Sequence, residues 1–211
     1  MPVTTKICGL STPDTLGAAI SGGAAQVGFV FFPPSPRNLA FDQAAALAAL
    51  VPAHVAKVGV FVDPDDRELD AAIAAAHLDA IQLHKTTPER TAAIRNATRR
   101  EIWSAIAVKT RADLAAAQTY AGAADRILYD AKTPDSAALP GGMGLRFDWT
   151  LLQGHRHPLP WALSGGLTPE NVTEAVRITG ATAVDVSSGV ESAPAVKDMD
   201  KIAAFLKALG A

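Results

Sequence analysis

The chain of 211 residues contains only one cysteine, Cys8, so no disulfide can form within it. Chains without disulfides are typical of reducing compartments. No apolar stretch approaches the roughly 18 residues that predict a membrane-spanning helix. The first residues also lack the basic and long apolar segments of a signal peptide. We therefore expect a cytoplasmic protein that does not bind a membrane.

The sequence also lacks an excess of charge of either sign, since its formal net charge is −2. Such a balance gives no electrostatic field that would recruit nucleic acid. The sequence contains no HExxH or CxxC pattern, which would predict a metal site, and no Walker loop or GxGxxG fingerprint, which would predict a bound nucleotide. We expect no metal, no cofactor, no nucleic-acid partner and a monomeric state.

What the sequence does contain is a regular alternation of short β-branched runs and alanine-rich runs. The β-branched runs are apolar with little alternation, which is typical of parallel strands covered by helices. Eight strand–helix units in about 200 residues predict an α/β fold, a single (β/α)8 TIM barrel that spans residues 1–211 as one domain. An open doubly wound sheet is the alternative, but it usually has fewer strands at this length. The predicted strands are TTKICGL, AQVGFVFF, VAKVGVFVD, DAIQLHK, EIWSAIAV, DRILYDAK, PLPWALSGG and ATAVDVSSG.

A helical segment is predicted after each of these strands. The fifth and sixth predicted helices are RADLAAAQTYA and the short segment FDWTLLQG, which follows a longer connection after the sixth strand. The seventh, TPENVTEAVRIT, is expected to begin with Thr168 as its N-cap and Pro169 in its first position, because these residue types favour those positions.

In a barrel of this kind the active site lies at the C-terminal ends of the strands. Reactive and polar side chains collect at these ends, whereas the strand interiors stay apolar. Two small-residue segments, LSGGL and VSSGV, follow strands seven and eight, where barrels often bind phosphate through exposed backbone N–H groups. The candidate phosphate-binding residues are Gly165, Gly166, Ser187, Ser188 and Gly189, and the other candidate site residues are Cys8, Arg37, Gln82, His84, Asp130 and Asp185.

Each candidate also has a plain structural interpretation. Cys8 could be a small buried apolar residue, and Asp130 could form a salt bridge with Lys132. If Asp130 is half-buried, its carboxyl pKa rises and it can donate a proton near neutral pH. Arg37 could recognise a planar carboxylate with its guanidinium group, or it could lie in solvent. The glycine pairs could be turns that the chain geometry requires, and residue spacing alone leaves these alternatives open.

Seven segments occur in order at the expected strand ends: KICGL, FFPPSPR, IQLHK, ILYDAK, GGMGLRFDW, LSGGLTPENV and VDVSSGVESAP. Together they resemble the phosphoribosylanthranilate isomerases of tryptophan biosynthesis, and the resemblance spans nearly the whole chain. It implies an Amadori rearrangement without cofactor or metal. In this reaction the aminoaldose N-(5-phosphoribosyl)anthranilate becomes the aminoketose 1-(2-carboxyphenylamino)-1-deoxyribulose 5-phosphate.

The resemblance also implies a role for each candidate residue. Asp130 would be the general acid that protonates the furanose ring oxygen. Cys8 would be the general base that removes the C2′ proton, as a thiolate with a pKa near the working pH. Arg37 would face the anthranilate carboxylate, and Asp185 would help to position the amino or ribose group. The pocket would also contain Gln82 and His84, and the phosphate would lie on Gly165, Gly166, Ser188 and Gly189 beside a short extra helix near residues 190–193.

Three positions depart from the pattern of this family. Lys85 and Ala195 stand where glycine is common, and Met143 replaces a frequent threonine. Two other functions stay open: a non-catalytic phosphosugar-binding barrel, and an isomerase of a related aminoaldose phosphate from histidine biosynthesis. Bifunctional isomerases that act on both precursors use two aspartates, so Cys8 favours the monofunctional enzyme.

Overall fold

The computed structural model describes residues 3–134 and 141–210. Eight parallel strands follow one another around a closed barrel, which confirms the predicted (β/α)8 fold. Ile7 of the first strand pairs with Val27 of the second and with Val186 of the eighth, so the sheet closes on itself. The strands are β1 (Thr4–Cys8), β2 (Gln26–Phe31), β3 (Ala56–Val62), β4 (Ala80–His84), β5 (Glu101–Val108), β6 (Arg126–Ala131), β7 (Trp161–Leu163) and β8 (Ala183–Val186).

The described residues form six α-helices, which pack against the barrel. Several begin where a side chain caps the first turn: Thr12, Asp65 and Thr87 each accept a hydrogen bond from the backbone N–H three residues later. Among the described residues, no helix combines the length and apolar character needed to cross a membrane. The helices are α1 (Pro13–Ser21), α2 (Phe41–Ala48), α3 (Asp66–Ala76), α4 (Pro88–Thr98), α5 (Val172–Thr179) and α6 (Met199–Ala208).

The fifth and sixth predicted helices are instead 3₁₀ segments, Arg111–Tyr120 and Trp149–Leu152. A 3₁₀ helix has three residues per turn, so residues three apart lie on one face. In the first segment, Leu114 and Ala117 are both buried at this spacing. Tyr120, three residues further on, donates its hydroxyl hydrogen to a carbonyl oxygen of the β4–α4 loop at 2.6 Å. The buried residues therefore fit the tighter helix.

The seventh predicted helix begins later than expected, at Val172 rather than directly after Thr168. The side chain of Asn171 explains the delay. The Thr168 backbone N–H donates to Asn171 Oδ1 at 2.8 Å, and Asn171 Nδ2 donates to the Gly166 carbonyl oxygen at 2.9 Å. These two bonds hold the segment in a turn, so Asn171 and not Thr168 precedes the helix.

The barrel interior is filled in layers, because every second residue of a strand faces inwards. An apolar cluster, here called the lower layer, consists of Val58, Ala80, Trp103, Leu128, Ala162 and Ala183. Closer to the C-terminal ends of the strands, the buried side chains that face the interior are mostly polar or reactive. This upper interior consists of Lys6, Cys8, Val30, Val60, Gln82, His84, Asp130 and Asp185.

Candidate active site

A pocket lies at the C-terminal ends of the barrel strands, where the active site of such a barrel is expected. Its wall contains every candidate residue proposed from the sequence. Loop residues Phe32 and Ser35 and the segment 141–145 complete one side. The candidates on the wall are Cys8, Arg37, Gln82, His84, Asp130, Gly165, Gly166, Asp185, Ser187, Ser188 and Gly189.

Cys8 is the last residue of β1, and its side chain packs against apolar residues of β2 and β3. Gly28 gives it room, because a Cβ there would lie only 2.9 Å from Cys8 Sγ. Burial raises the pKa of the Cys8 thiol above its ordinary value, although the nearby Lys6 ammonium opposes this shift. The free thiol is therefore mostly protonated near pH 7, whereas the sequence suggested a pKa close to the working pH.

Asp130 lies near the end of β6 and is 8% exposed. Burial raises its pKa to about 7, and the neighbouring Asp185 carboxylate adds to the rise. The Ala131 backbone N–H, which donates to Asp130 Oδ1 at 2.8 Å, opposes it. The sequence also allowed a salt bridge between Asp130 and Lys132, but Lys132 Nζ lies 4.0 Å from Asp113 Oδ1 instead. Asp130 is therefore an acid that holds its proton close to neutral pH.

A buried ion pair, formed by Lys6 and Asp185, lies in the upper interior near Cys8 and Asp130. Lys6 is fully buried, and its ammonium donates to Asp185 Oδ1 at 2.8 Å. Burial works against the Lys6 charge, but Asp185 and Cys8 outweigh it, so the pKa of Lys6 lies above its ordinary value. Ser164 Oγ donates to Asp185 Oδ2 at 3.4 Å. Within the described part of the chain, no group of three or more His, Cys, Asp or Glu side chains is arranged to hold a metal ion.

Arg37 lies in the loop after β2 and is 7% exposed, so it is not a solvent-exposed arginine. Its guanidinium forms a two-pronged pair with Glu191: Nε donates to Oε1 at 2.7 Å and Nη2 donates to Oε2 at 2.8 Å. Nη2 also donates to the Gly142 carbonyl oxygen at 3.0 Å. Although burial works against the charge, the cations around Glu191 lower the pKa of its carboxyl to about 2.

The extra helix expected near residues 190–193 is not formed. A 3₁₀ turn over Ser188–Val190 is followed by two short antiparallel strands, β9 (Glu191–Ala193) and β10 (Val196–Lys197). Pro194 explains the difference, because a proline disfavours the helical conformation of the residue before it. The structure thereby buries Glu191 and Lys197, two residues that the sequence analysis missed.

The turns after β7 and β8 bring small residues close to other backbone atoms. A Cβ at Gly165 would lie 2.6 Å from the Ala131 backbone nitrogen, and one at Gly189 would collide with the Leu167 carbonyl oxygen. Gly165 also has a φ of +86°. Glycine is therefore required by this close approach, and the same geometry leaves backbone N–H groups near the pocket for an anion.

Gln82 and His84 form a buried polar pair on β4. Gln82 Nε2 lies 2.9 Å from His84 Nε2, and the amide donates because a neutral ring nitrogen can accept. Burial and the charges of Lys6 and Lys85 lower the pKa of His84 to about 4, so the ring is neutral. Gln82 Oε1 has no hydrogen-bond partner among the described residues.

The three departures from the family pattern all lie at the upper rim of the barrel. Lys85 and Ala195 have φ values of +53° and +63°, a backbone region that favours glycine. Met143 lies between Gly142 and Gly144, is 48% exposed and is part of the pocket wall. Two of these departures therefore place a side chain where the backbone is strained.

Comparison with known families finds a match over residues 5–208 to the family described as N-(5'phosphoribosyl)anthranilate (PRA) isomerase. Among curated relatives, the N-(5'-phosphoribosyl)anthranilate isomerase of Paramagnetospirillum magneticum is 56% identical over 209 residues, which cover 99% of this chain and 97% of the relative. The enzyme of the same name from Zymomonas mobilis subsp. mobilis is 54% identical over 211 residues, with 99% of each chain covered.

Solved structures give the same result. Phosphoribosyl anthranilate isomerase from Thermotoga maritima superimposes with a TM-score of 0.88 at 36% identity, covering 99% of this chain and 98% of its own. A phosphoribosyl anthranilate isomerase in complex with reduced 1-(o-carboxyphenylamino)-1-deoxyribulose 5-phosphate has a TM-score of 0.85 at 33% identity, with the same coverage. The chain therefore belongs to the N-(5'-phosphoribosyl)anthranilate isomerase family.

Proposed function

We propose that the protein catalyses the Amadori rearrangement of N-(5-phosphoribosyl)anthranilate to 1-(2-carboxyphenylamino)-1-deoxyribulose 5-phosphate in tryptophan biosynthesis. The observation that carries this proposal is that the wall of one pocket contains Cys8, Asp130 and the glycine-rich turns after β7 and β8. The reaction needs an acid, a base and a site for a phosphate. The relative in complex with reduced 1-(o-carboxyphenylamino)-1-deoxyribulose 5-phosphate supports a small phosphosugar ligand.

In the first step Asp130 acts as the general acid. It donates its proton to the furanose ring oxygen while the bond between that oxygen and C1′ breaks, and the electron pair of the anthranilate nitrogen forms a Schiff base with C1′. A pKa of about 7 supports this role, because the carboxyl group still carries its proton near neutral pH.

In the second step Cys8 acts as the general base. Its thiolate removes the C2′ proton, and the C1′–C2′ double bond forms as the electron pair of the C1′–N double bond returns to the nitrogen. The resulting enolamine then tautomerises to the ketone, with a proton added at C1′ and one lost from the 2′-hydroxyl. The proton taken by Cys8 balances the one given by Asp130, so the isomerisation is neutral overall. Because burial raises the pKa of Cys8, only a minor population of the protein has an ionised thiol together with a protonated Asp130, and this population is the reactive form. The nearby Lys6 ammonium stabilises the thiolate.

The other residues of the pocket wall bind and orient the substrate in this proposal. Arg37 meets the anthranilate carboxylate, and Asp185 orients the amino or ribose group. The neutral His84 and the amide of Gln82 offer hydrogen bonds to the sugar. The phosphate lies on the turns after β7 and β8, which consist of Gly165, Gly166, Ser187, Ser188 and Gly189.

Further expectations from the sequence stay predictions of this proposal. Residues 1–211 act as one barrel domain, since the eight strands of a closed barrel cannot be divided without opening the sheet. The protein works as a monomer in the cytoplasm, and the reaction proceeds without a metal or a cofactor.

Substitution of the proposed acid and base tests the mechanism. Cys8→Ala and Asp130→Ala should each lower kcat by about 10²-fold or more, because each removes one proton-transfer group. The measurement is the rate of ketose product formation by the purified variants. Asp70→Ala, at an exposed carboxylate on α3, is the matched control and should stay within about twofold of the parent. Near-normal turnover by both pocket variants would refute the assignment.

Complementation tests the reaction itself. The protein should restore growth of a tryptophan auxotroph that lacks this isomerase. Failure with well-expressed protein, together with calorimetric binding of the phosphorylated ligand but no product, would favour a non-catalytic phosphosugar-binding barrel. Turnover of the aminoaldose phosphate of histidine biosynthesis in place of the anthranilate compound would favour the other isomerase.

A further inference from the structure

The carboxylate of Glu191 is saturated by hydrogen bonds from the protein. Oε1 accepts from Arg37 Nε at 2.7 Å and from Lys197 Nζ at 2.6 Å, while Oε2 accepts from Arg37 Nη2 at 2.8 Å and from the Ala195 backbone N–H at 3.1 Å. A carboxylate has about four acceptor positions. Glu191 therefore has no free acceptor for a substrate, and it is not part of the pocket wall.

Arg37 is only partly used by these contacts. A guanidinium carries five N–H donors. The hydrogen on Nε and those on Nη2 go to Glu191 and to the Gly142 carbonyl oxygen. The two hydrogens on Nη1 have no hydrogen-bond partner among the described residues, and Arg37 is part of the pocket wall. Glu191 thus holds one edge of the guanidinium and leaves the Nη1 donors unused.

We propose that Glu191 is a positioning residue, which holds Arg37 so that Nη1 is presented to the carboxylate on the aromatic ring of the substrate. This inference rests on the proposed function, in which Arg37 meets that carboxylate. An arginine side chain is long and loses rotamer freedom when it binds a ligand. The pair with Glu191 orders the guanidinium before the substrate arrives, so this loss no longer weakens binding.

The same carboxylate connects Arg37 to the proposed phosphate site. Lys197 Nζ, which donates to Glu191, also donates to the Ser187 carbonyl oxygen at 2.9 Å and lies 3.2 Å from Ser187 Oγ. Ser187 directly precedes the 3₁₀ turn that begins at Ser188. Glu191 thus lies between the cations Arg37 and Lys197, and these three side chains together carry one net positive charge. A positive charge here favours a substrate that carries a carboxylate and a phosphate.

Two related probes distinguish positioning from a purely structural role. The first is reduced 1-(o-carboxyphenylamino)-1-deoxyribulose 5-phosphate, and the second is the same compound without the ring carboxyl group. Calorimetry on the parent should show tighter binding of the first. Glu191→Gln should weaken binding of the first by about tenfold or more, as expected for a lost charge-assisted contact, and change the second by less than about twofold. Glu174→Gln, an exposed glutamate on α5, is the matched control and should change neither.

Arg37→Ala separates this inference from the proposed function. If that variant keeps the preference for the carboxylated probe, the role given to Arg37 is wrong. If Arg37→Ala loses the preference but Glu191→Gln keeps it, only the role of Glu191 is overturned. Equal weakening of both probes by Glu191→Gln also overturns it, because a damaged fold would affect both. Should circular dichroism show that Glu191→Gln is unfolded, Glu191→Asp takes its place, since it keeps the charge but is too short to hold both nitrogens of Arg37.

Discussion

Strands β3, β4, β6 and β8 contribute residues to both the lower layer and the upper interior of the barrel, and these two regions differ in chemistry. On β6, Leu128 belongs to the lower layer and Asp130 to the upper interior, and on β8 the same is true of Ala183 and Asp185. All four side chains are buried, and the members of each pair are only two residues apart. The apolar residues stabilise the fold by about 25 cal/mol for each Å² removed from water. The buried acids lose hydration and need partners to offset that loss.

The barrel thus places the apolar residues that stabilise the fold in one layer and the ionisable residues of the proposed mechanism in another. The lower layer contains no ionisable group, so changes there act on the fold. In the upper interior, Lys6 compensates the charge of Asp185 and opposes the rise in the pKa of Cys8, while Asp130 keeps a raised pKa. A buried, perturbed acid lowers stability but is useful for proton transfer.

The largest effect should come from breaking the ion pair of the upper interior. Lys6→Met leaves Asp185 buried without its cation, and we expect the free energy of unfolding to fall by about 3–5 kcal/mol. Lys6→Met combined with Asp185→Leu should recover most of this loss, because the pair then resembles the lower layer, but it should not recover isomerase turnover. Urea unfolding measures both variants. A double variant no more stable than the single one would show that the unpaired charge is not the cause.

A cavity in the lower layer should lower stability but, unlike the loss of the ion pair, should leave activity nearly unchanged. Leu128→Ala removes a fully buried side chain, and we expect a loss of about 2–5 kcal/mol in the free energy of unfolding. The kcat of the protein that stays folded should change by only a few-fold, because the pocket wall is not altered. Urea unfolding and steady-state kinetics at low temperature check this. A fall in kcat as large as that of Asp130→Ala would remove the distinction between the two regions.

The stability cost of Asp130 should depend on pH. Its folded pKa of about 7 lies above the unfolded value of about 3.9, so the folded state holds the proton more tightly and loses stability as the pH rises between these values. Asp130→Asn should therefore stabilise the protein at pH 8 by on the order of 2–4 kcal/mol and have little effect at pH 4. Urea unfolding at both pH values tests this. An equal gain at both would mean that ionisation is not responsible.

The smallest effect is expected at the strained rim. Ala195→Gly should stabilise the protein by about 0.5–1 kcal/mol, because φ is +63° there and glycine adopts this conformation without strain. The same substitution at Ala204, an exposed position inside α6, should destabilise by a similar amount. Thermal unfolding of the two variants compares them directly. Changes of the same sign in both would contradict the explanation.

The sequence alone was sufficient for the architecture and for placing the candidate residues around one pocket. Eight apolar runs separated by helical segments specify a parallel sheet covered by helices, and strand ends in such a barrel must meet at one face. For this reason the sequence alone assigns residues as distant in the chain as Cys8 and Asp130 to one end of the barrel, where both line the same pocket. These inferences depend on local periodicity and on topology, and both can be read from a single chain.

Only the tertiary structure decided how the buried charges are paired. Lys6 and Asp185 are 179 residues apart, and Arg37 and Glu191 are 154 residues apart. Ion pairs at such separations leave no periodic pattern in the sequence, because the first forms where β8 closes the barrel against β1 and the second where loop segments meet above the barrel end. The same is true of the backbone strain at Ala195, which depends on a turn formed between β9 and β10. The sequence thus determined which groups reach the pocket, and the folded chain determined which partner each one has.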